Sequence, residues 1–218
     1  MPDTLTATIA GATSEIDATV WNELVAASDP HGNPFLDHAF FLALEASGSA
    51  TRRTGWTPRH VVLRDGETVV GLLPMYEKTH SQGEYVFDHG WANAFEQAGG
   101  SYYPKLQVSV PFTPVTAPKL LTRADDPAVK QALLTAAATY ANQRGISSVH
   151  STFVPESEAL LAAGAGWLLR TDTQYHWHNA GFGSFDEYLQ TMSSRHRKVT
   201  RRERRDAVEG LTVKWLTG

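Results

Sequence analysis

The sequence contains no cysteine, which excludes disulfides, thiolate metal ligands and a cysteine nucleophile together. No apolar run approaches the ~18 residues that a membrane-spanning helix needs, and no basic stretch followed by an apolar core opens the chain. A cytoplasmic protein without a membrane span is expected. There is no G-x-S-x-G elbow, P-loop or G-x-G-x-x-G run, so serine hydrolase, nucleotide triphosphatase and dinucleotide-binding chemistry have no motif to rest on. Residues 111–121 also lack glycine, while holding three prolines that cannot donate a backbone hydrogen bond.

What is present is a chain of 218 residues, 42% hydrophobic and 19% charged, enough to bury a core in one domain or two small ones. The formal net charge of -4 hides an uneven split. Seven basic residues and one acid lie between Arg195 and Arg205, leaving 12 basic and 22 acidic residues elsewhere. An acidic body with one basic island suits a single anionic partner or a solvated helix, and not a nucleic-acid coat protein.

Strand and helix signals alternate along the chain. Alternation over residues 5–9 predicts a strand, and Asp17 predicts the cap of a helix that presents Val20, Trp21, Leu24 and Val25. A second helix is expected over 36–46, then a hairpin of strands 59–63 and 68–76 turning at Asp65-Gly66. Further strands are expected over 84–88, 105–110, 147–154 and 168–178. Asp126, Pro127 and Gly145 bracket a long helix with Val129, Ala132, Leu133, Ala136, Ala137 and Tyr140 on one face, and 156–163 predicts a shorter one.

That element order, an α/β (α+β) arrangement with a mixed sheet flanked by helices, resembles the GNAT N-acyltransferase fold over about residues 5–180. Four local motifs carry the resemblance further: Gly83-Glu84-Tyr85-Val86-Phe87-Asp88-His89-Gly90-Trp91, Tyr102-Tyr103-Pro104-Lys105-Leu106, Val110-Pro111-Phe112-Thr113-Pro114 and Gln174-Tyr175-His176-Trp177-His178-Asn179. So do Ser184-Phe185-Asp186-Glu187-Tyr188-Leu189 and the basic run from Ser194 to Arg204. These are similar to a bacterial family of N-acyltransferases that resembles the Fem-type (FemAB-like) peptidoglycan aminoacyltransferases. The resemblance implies a GNAT-like unit over residues 1–182. It implies for residues 183–218 a basic helix over 185–208 and a strand over 211–216, entering a second such unit that is truncated here. It also implies transfer of an acyl group to a small-molecule amine or wall-precursor acceptor, with an oxyanion held by backbone N–H at a splay after residues 108–110. The glycine-free turn departs from the pyrophosphate cradle of coenzyme A enzymes. No tightly bound cofactor is expected, and the co-substrate is left between acyl-CoA and aminoacyl-tRNA, with tRNA a candidate partner.

Candidate site residues follow from this placement. Asp88 and His89 are candidates for the catalytic base or a substrate hydrogen bond. Trp91, Tyr102, Tyr103, Lys105, Gln107, Phe112 and Thr113 line the approach to the splay. Gln174, His176 and His178 share one strand face as a polar wall, and with no third ligand in sight no metal is expected. On a helix Arg197, Arg201 and Arg204 share one face, with Lys198, Arg202 and Arg205 on the next, matched to phosphate. The competing function is a non-catalytic recognition module that binds an anionic ligand or RNA through this helix.

Overall fold

The structure, a computed structural model, describes residues 5–86 and 88–216 and divides into two units, Met1–Arg170 and Thr171–Gly218. Unit 1 opens with β1 (Thr6–Ala10), α1 (Ala18–Ser28) and α2 (His38–Ala46). Then come β2 (Trp56–Pro58), β3 (His60–Asp65), β4 (Thr68–Leu73), β5 (Met75–Lys78), α3 (His89–Gln97) and β6 (Lys105–Val108). It closes with β7 (Leu121–Thr122), α4 (Pro127–Arg144), β8 (Val149–Ser151) and α5 (Glu156–Gly164).

The helix ends follow their caps. The Asp17 carboxylate accepts the N–H groups of Thr19 and Val20 at 2.8 and 3.1 Å, starting α1. Trp21, Leu24 and Val25 are then buried, and the Trp21 indole N–H donates to the Leu36 carbonyl at 2.8 Å. Asp126 caps α4, and Gly145, at φ 63, ends it in the left-handed conformation that suits glycine.

Two four-stranded sheets carry the unit. One runs β1-β3-β4-β7, antiparallel throughout; the other runs β2-β5-β6-β8, with only β6 and β8 parallel. Pro74 separates them: the expected single strand over 68–76 breaks there into β4 and β5, because proline has no N–H to extend a ladder. The hairpin turn is Gly66-Glu67, one residue later than expected, since Asp65 still pairs with Thr68 and only Gly66 takes a positive φ, of 56°.

The second sheet has two unlike faces. On one, Met75, Leu106 and Val108 pack with Leu133, Leu134, Ala137 and Ala141 of α4 in a shared apolar cluster. On the other lie Lys78, Lys105 and Gln107, all buried. The strand period of two produces this segregation, and it sets the stage for the site.

Three expected strands are absent. Residues 84–86 and 88 form an irregular segment, with Phe87 outside the described residues, and 168–178 and 211–216 are also irregular. Leu168, Tyr175, Trp215 and Leu216 are more than 90% exposed. An alternating pattern becomes a strand only where a neighbouring edge satisfies its N–H and C=O groups, and among the described residues no such edge pairs with these segments. The strand expected over 147–154 shortens to β8. Unit 2 holds α6 (Phe185–Gln190) and α7 (Ser194–Asp206) in place of one helix over 185–208, because Ser193 is extended and its hydroxyl caps a new start at His196 N–H.

Candidate active site

The polar face of the second sheet concentrates charge. Lys78 on β5 sits directly opposite Lys105 on β6, and both are fully buried. Like charges placed across a ladder repel, so the segment between β5 and α3 supplies two buried carboxylates. Lys105 Nζ donates to Glu84 Oε2 at 2.7 Å and to Asp88 Oδ2 at 2.5 Å. Asp88 Oδ2 also accepts the Tyr102 hydroxyl at 2.8 Å. Lys78 Nζ lies 3.5 Å above the Trp56 ring, donates to the Gln82 carbonyl at 3.1 Å and is 3.9 Å from Glu84 Oε1.

The environment separates the protonation states. Burial drives Lys78 down to about 7, with the charge of Lys105 adding to the effect against Glu84 and Asp88. Burial alone would raise Asp88, but the hydrogen bond and charge of Lys105, with the Tyr102 hydroxyl, hold it at about 2. Glu84 is raised by burial, and Tyr102 by burial and the adjoining Asp88. His150, on β8 opposite Gln107, is pushed down to about 4 by burial and then by Lys105, so its imidazole is neutral. Near neutral pH the face therefore holds an ionised Asp88 carboxylate and, in Lys78, an amine close to its midpoint.

Hydrogen bonding on this face is incomplete. Glu84 Oε1, Asp88 Oδ1, Gln107 Oε1 and Trp56 Nε1 are buried with no hydrogen-bond partner among the described residues. Each such atom costs about 1–3 kcal/mol, and four together are more than a purely structural ion cluster needs. Perturbed ionisable groups with spare acceptors mark functional sites.

The sequence-predicted residues divide into three groups. Asp88, Tyr102 and Lys105 meet in the cluster. Tyr103, whose hydroxyl bonds Ser81 at 2.8 Å, and Gln107, which donates to Thr152 at 2.9 Å, adjoin it. Phe112 packs 5.3 Å from Trp56 with φ 57, and its N–H bonds the Gly83 carbonyl at 3.1 Å. His89 and Trp91 are exposed on the first turn of α3, and the Thr113 hydroxyl closes a local turn onto the Pro111 carbonyl. Gln174, His176 and His178 belong to unit 2, on irregular exposed chain; the two imidazoles stack at 6.2 Å. Arg197, Lys198, Arg201 and Arg204 lie on α7 of that unit.

Lys78 and Glu84 were not singled out from the sequence, where a lysine at a strand end reads as solvated. The available signal was alternation: Lys78 follows Tyr76 at i+2 on β5, as Gln107 follows Lys105 on β6, so two lysines share a face.

Two other polar clusters are structural. His60 Nδ1 accepts the Met75 N–H, so its Nε2–H donates a hydrogen bond to Glu45 Oε1 at 3.2 Å and both ring nitrogens are engaged. Beyond the parallel β6–β8 pair, Ala117 N–H bonds the Phe153 carbonyl, and buried Lys119 Nζ donates to Ala117 and Phe153 carbonyls at 2.8 and 3.2 Å. Glu158 accepts both the Lys119 and Leu120 N–H groups, closing that end of the pair with the chain's own atoms. Two open grooves, of about 550 and 570 Å³, are lined by none of the clustered residues.

Comparison with curated proteins returns no match. Residues 12–218 match the FemAB-like family, described as peptidoglycan biosynthesis/recognition, and the chain belongs to that family.

Proposed function

We propose that this protein transfers an acyl or aminoacyl group to an amine acceptor in peptidoglycan metabolism, with the Lys78–Glu84–Asp88–Tyr102–Lys105 face as its site. The observation that carries the reading is the buried, half-satisfied cluster in which one lysine is depressed to about 7 beside a second that is tied to two carboxylates. Membership of the FemAB-like family supports the substrate class.

In this reading the acceptor amine attacks the carbonyl carbon of an ester donor. Neutral Lys78 takes the proton that the attacking nitrogen loses, and the Lys105 ammonium faces the oxyanion. Collapse of the intermediate re-forms the carbonyl and breaks the ester C–O bond, and Lys78 returns the proton to the leaving alkoxide. Asp88 is ionised and engaged, so it is a positioning residue: it holds Lys105 and Tyr102 and is no base at neutral pH. The acceptor enters as the neutral amine, and the spare Glu84 Oε1 and Asp88 Oδ1 supply acceptors for its N–H groups.

Residues 79–86 run beside the cluster, with the Gln82 carbonyl on Lys78 and Glu84 on Lys105. Among them Tyr85 is 56% exposed and left-handed at φ 56. An ester carried on tRNA suits the site better than a pantetheine thioester. Residues 111–121, after β6, have no glycine to cradle a pyrophosphate, and there the Lys119 ammonium bonds the Ala117 and Phe153 carbonyls instead.

The test is transfer of a radiolabelled aminoacyl group from tRNA, or acyl group from coenzyme A, to a wall-precursor amine. Lys105→Met should lose on the order of 10²-fold or more in kcat while retaining its circular dichroism spectrum. Equal turnover by Lys105→Met and wild type removes the site assignment.

A further inference from the structure

We propose that one row of α7, formed by Arg195, Lys198 and Arg202, is a contact surface for the phosphodiester backbone of RNA and serves the aminoacyl donor; this rests on the transfer reading above.

The structure sorts the basic residues of α7 by what they touch. Arg197 donates to Gln190 Oε1 at 2.5 Å, Arg201 pairs with Asp186 at 2.9 Å, and the Arg204 guanidinium lies 4.1 Å over the Phe185 ring. All three partners lie on α6, so these arginines hold the two helices of unit 2 together. Arg205 directs its guanidinium at Asp206, with bonds of 2.8 and 3.0 Å.

Arg195, Lys198 and Arg202 remain. They are exposed, and none pairs with a carboxylate among the described residues. Their i, i+3, i+7 spacing puts them on one face, where like charges oppose helix formation. The helix tolerates this because the tethered face and the Ser193 cap fix it. A row of cations that weakens its own helix and forms no ion pair among the described residues is explained by an anion from outside.

Length identifies the anion. Seven residues at a rise of 1.5 Å span about 10 Å. The two phosphorus atoms of a diphosphate share one bridging oxygen and cannot reach both ends of the row, whereas successive phosphates of a polynucleotide can. Arginine forks suit phosphate oxygens. The chain outside the island is acidic, 22 acids to 12 bases, which repels RNA from other surfaces and confines contact to this one.

The experiment measures binding of deacylated tRNA to the full chain by fluorescence anisotropy across a salt series, for wild type and R195Q/K198Q/R202Q. Wild type should bind with a negative slope of log K against log salt. The triple variant should flatten that slope by about 2–3 and weaken binding at low salt on the order of 10²-fold. Helix content is checked by circular dichroism, and removing like charges should preserve it. Absence of wild-type binding, or an unchanged slope in the variant, overturns the proposal. Competition by a nucleoside-diphosphate sugar as strong as by tRNA overturns it too, in favour of a single diphosphate site. Wild-type transfer from an aminoacylated 3′-terminal trinucleotide tests the transfer reading separately. Its presence with an unchanged slope removes the RNA row alone, and its absence with a flattened slope removes the transfer reading alone.

Discussion

Replacing Asp88 by asparagine preserves side-chain size while deleting the charge to which Lys105 and Tyr102 are bonded. The Asp88 carboxyl is held at about 2, against an ordinary value of 3.8. At about 1.36 kcal/mol per pH unit, that difference stabilises the fold by about 2 kcal/mol. Because the folded value is depressed, the stabilisation is complete above pH 3.8 and is lost as pH falls toward 2. At 3% exposure little solvent screening reduces it. Urea unfolding followed at pH 7 and at pH 2.5 measures the effect. Asp88→Asn should be less stable than wild type by about 2 kcal/mol at pH 7, a midpoint shift near 1 M for m-values of about 1–3 kcal/mol/M. The gap should narrow to about a third of that size at pH 2.5. A gap of equal size at both pH values would mean that Asp88 contributes through packing and not through its charge, and would refute the electrostatic account.

Other substitutions probe neighbouring parts of the site. Gly83 has φ 80, and a Cβ there would lie 2.6 Å from two Phe112 ring atoms; Gly83→Ala should cost about 1–3 kcal/mol in thermal unfolding, whereas an unchanged melting temperature would contradict the packing of Phe112 against this turn. His150 is held at about 4 by burial, against 6.5 unfolded, so wild-type stability should fall by about 1–3 kcal/mol as pH drops from 6.5 to 4. His150→Gln should remove that contribution, and an identical pH dependence in both proteins would exclude it. Lys78 is held at about 7 against 10.5. The unfolded chain therefore binds more protons between those values, and wild-type stability should rise with pH across that window. Lys78→Met should lack the rise.

Much of the frame is legible in the sequence because its signals are local. Asp17, Asp126, Pro127 and Gly145 act on backbone groups a few residues away, so the ends of α1 and α4 follow directly. Glycine likewise locates the hairpin to within one residue, whereas the strand expected over 68–76 runs through Pro74, where the chain passes from one sheet to the other. The segments 84–88, 168–178 and 211–216 carry strand-like residues, but a strand is a relation between two edges, and sequence alone cannot supply the partner. The cluster was half legible for the same reason. Asp88, Tyr102 and Lys105 stand out as polar residues near a strand entrance. Lys78 and Glu84 gain their meaning only when β5 pairs with β6 and the segment between β5 and α3 folds over that pair. The α7 arginines were visible as charge, yet which face binds α6 depends on Phe185, Asp186 and Gln190 arriving from a separate helix.

In the proposed reaction Lys78 exchanges the proton during transfer to the amine. The most direct measurement is the pH–rate profile of single-turnover transfer by wild type and Lys78→Met. The wild-type rate should climb with pH and level off above about 7, where Lys78 is neutral, and the Lys78→Met rate should be slow and lack that limb. A Lys78→Met profile that keeps the same limb at the same height would contradict this role of Lys78.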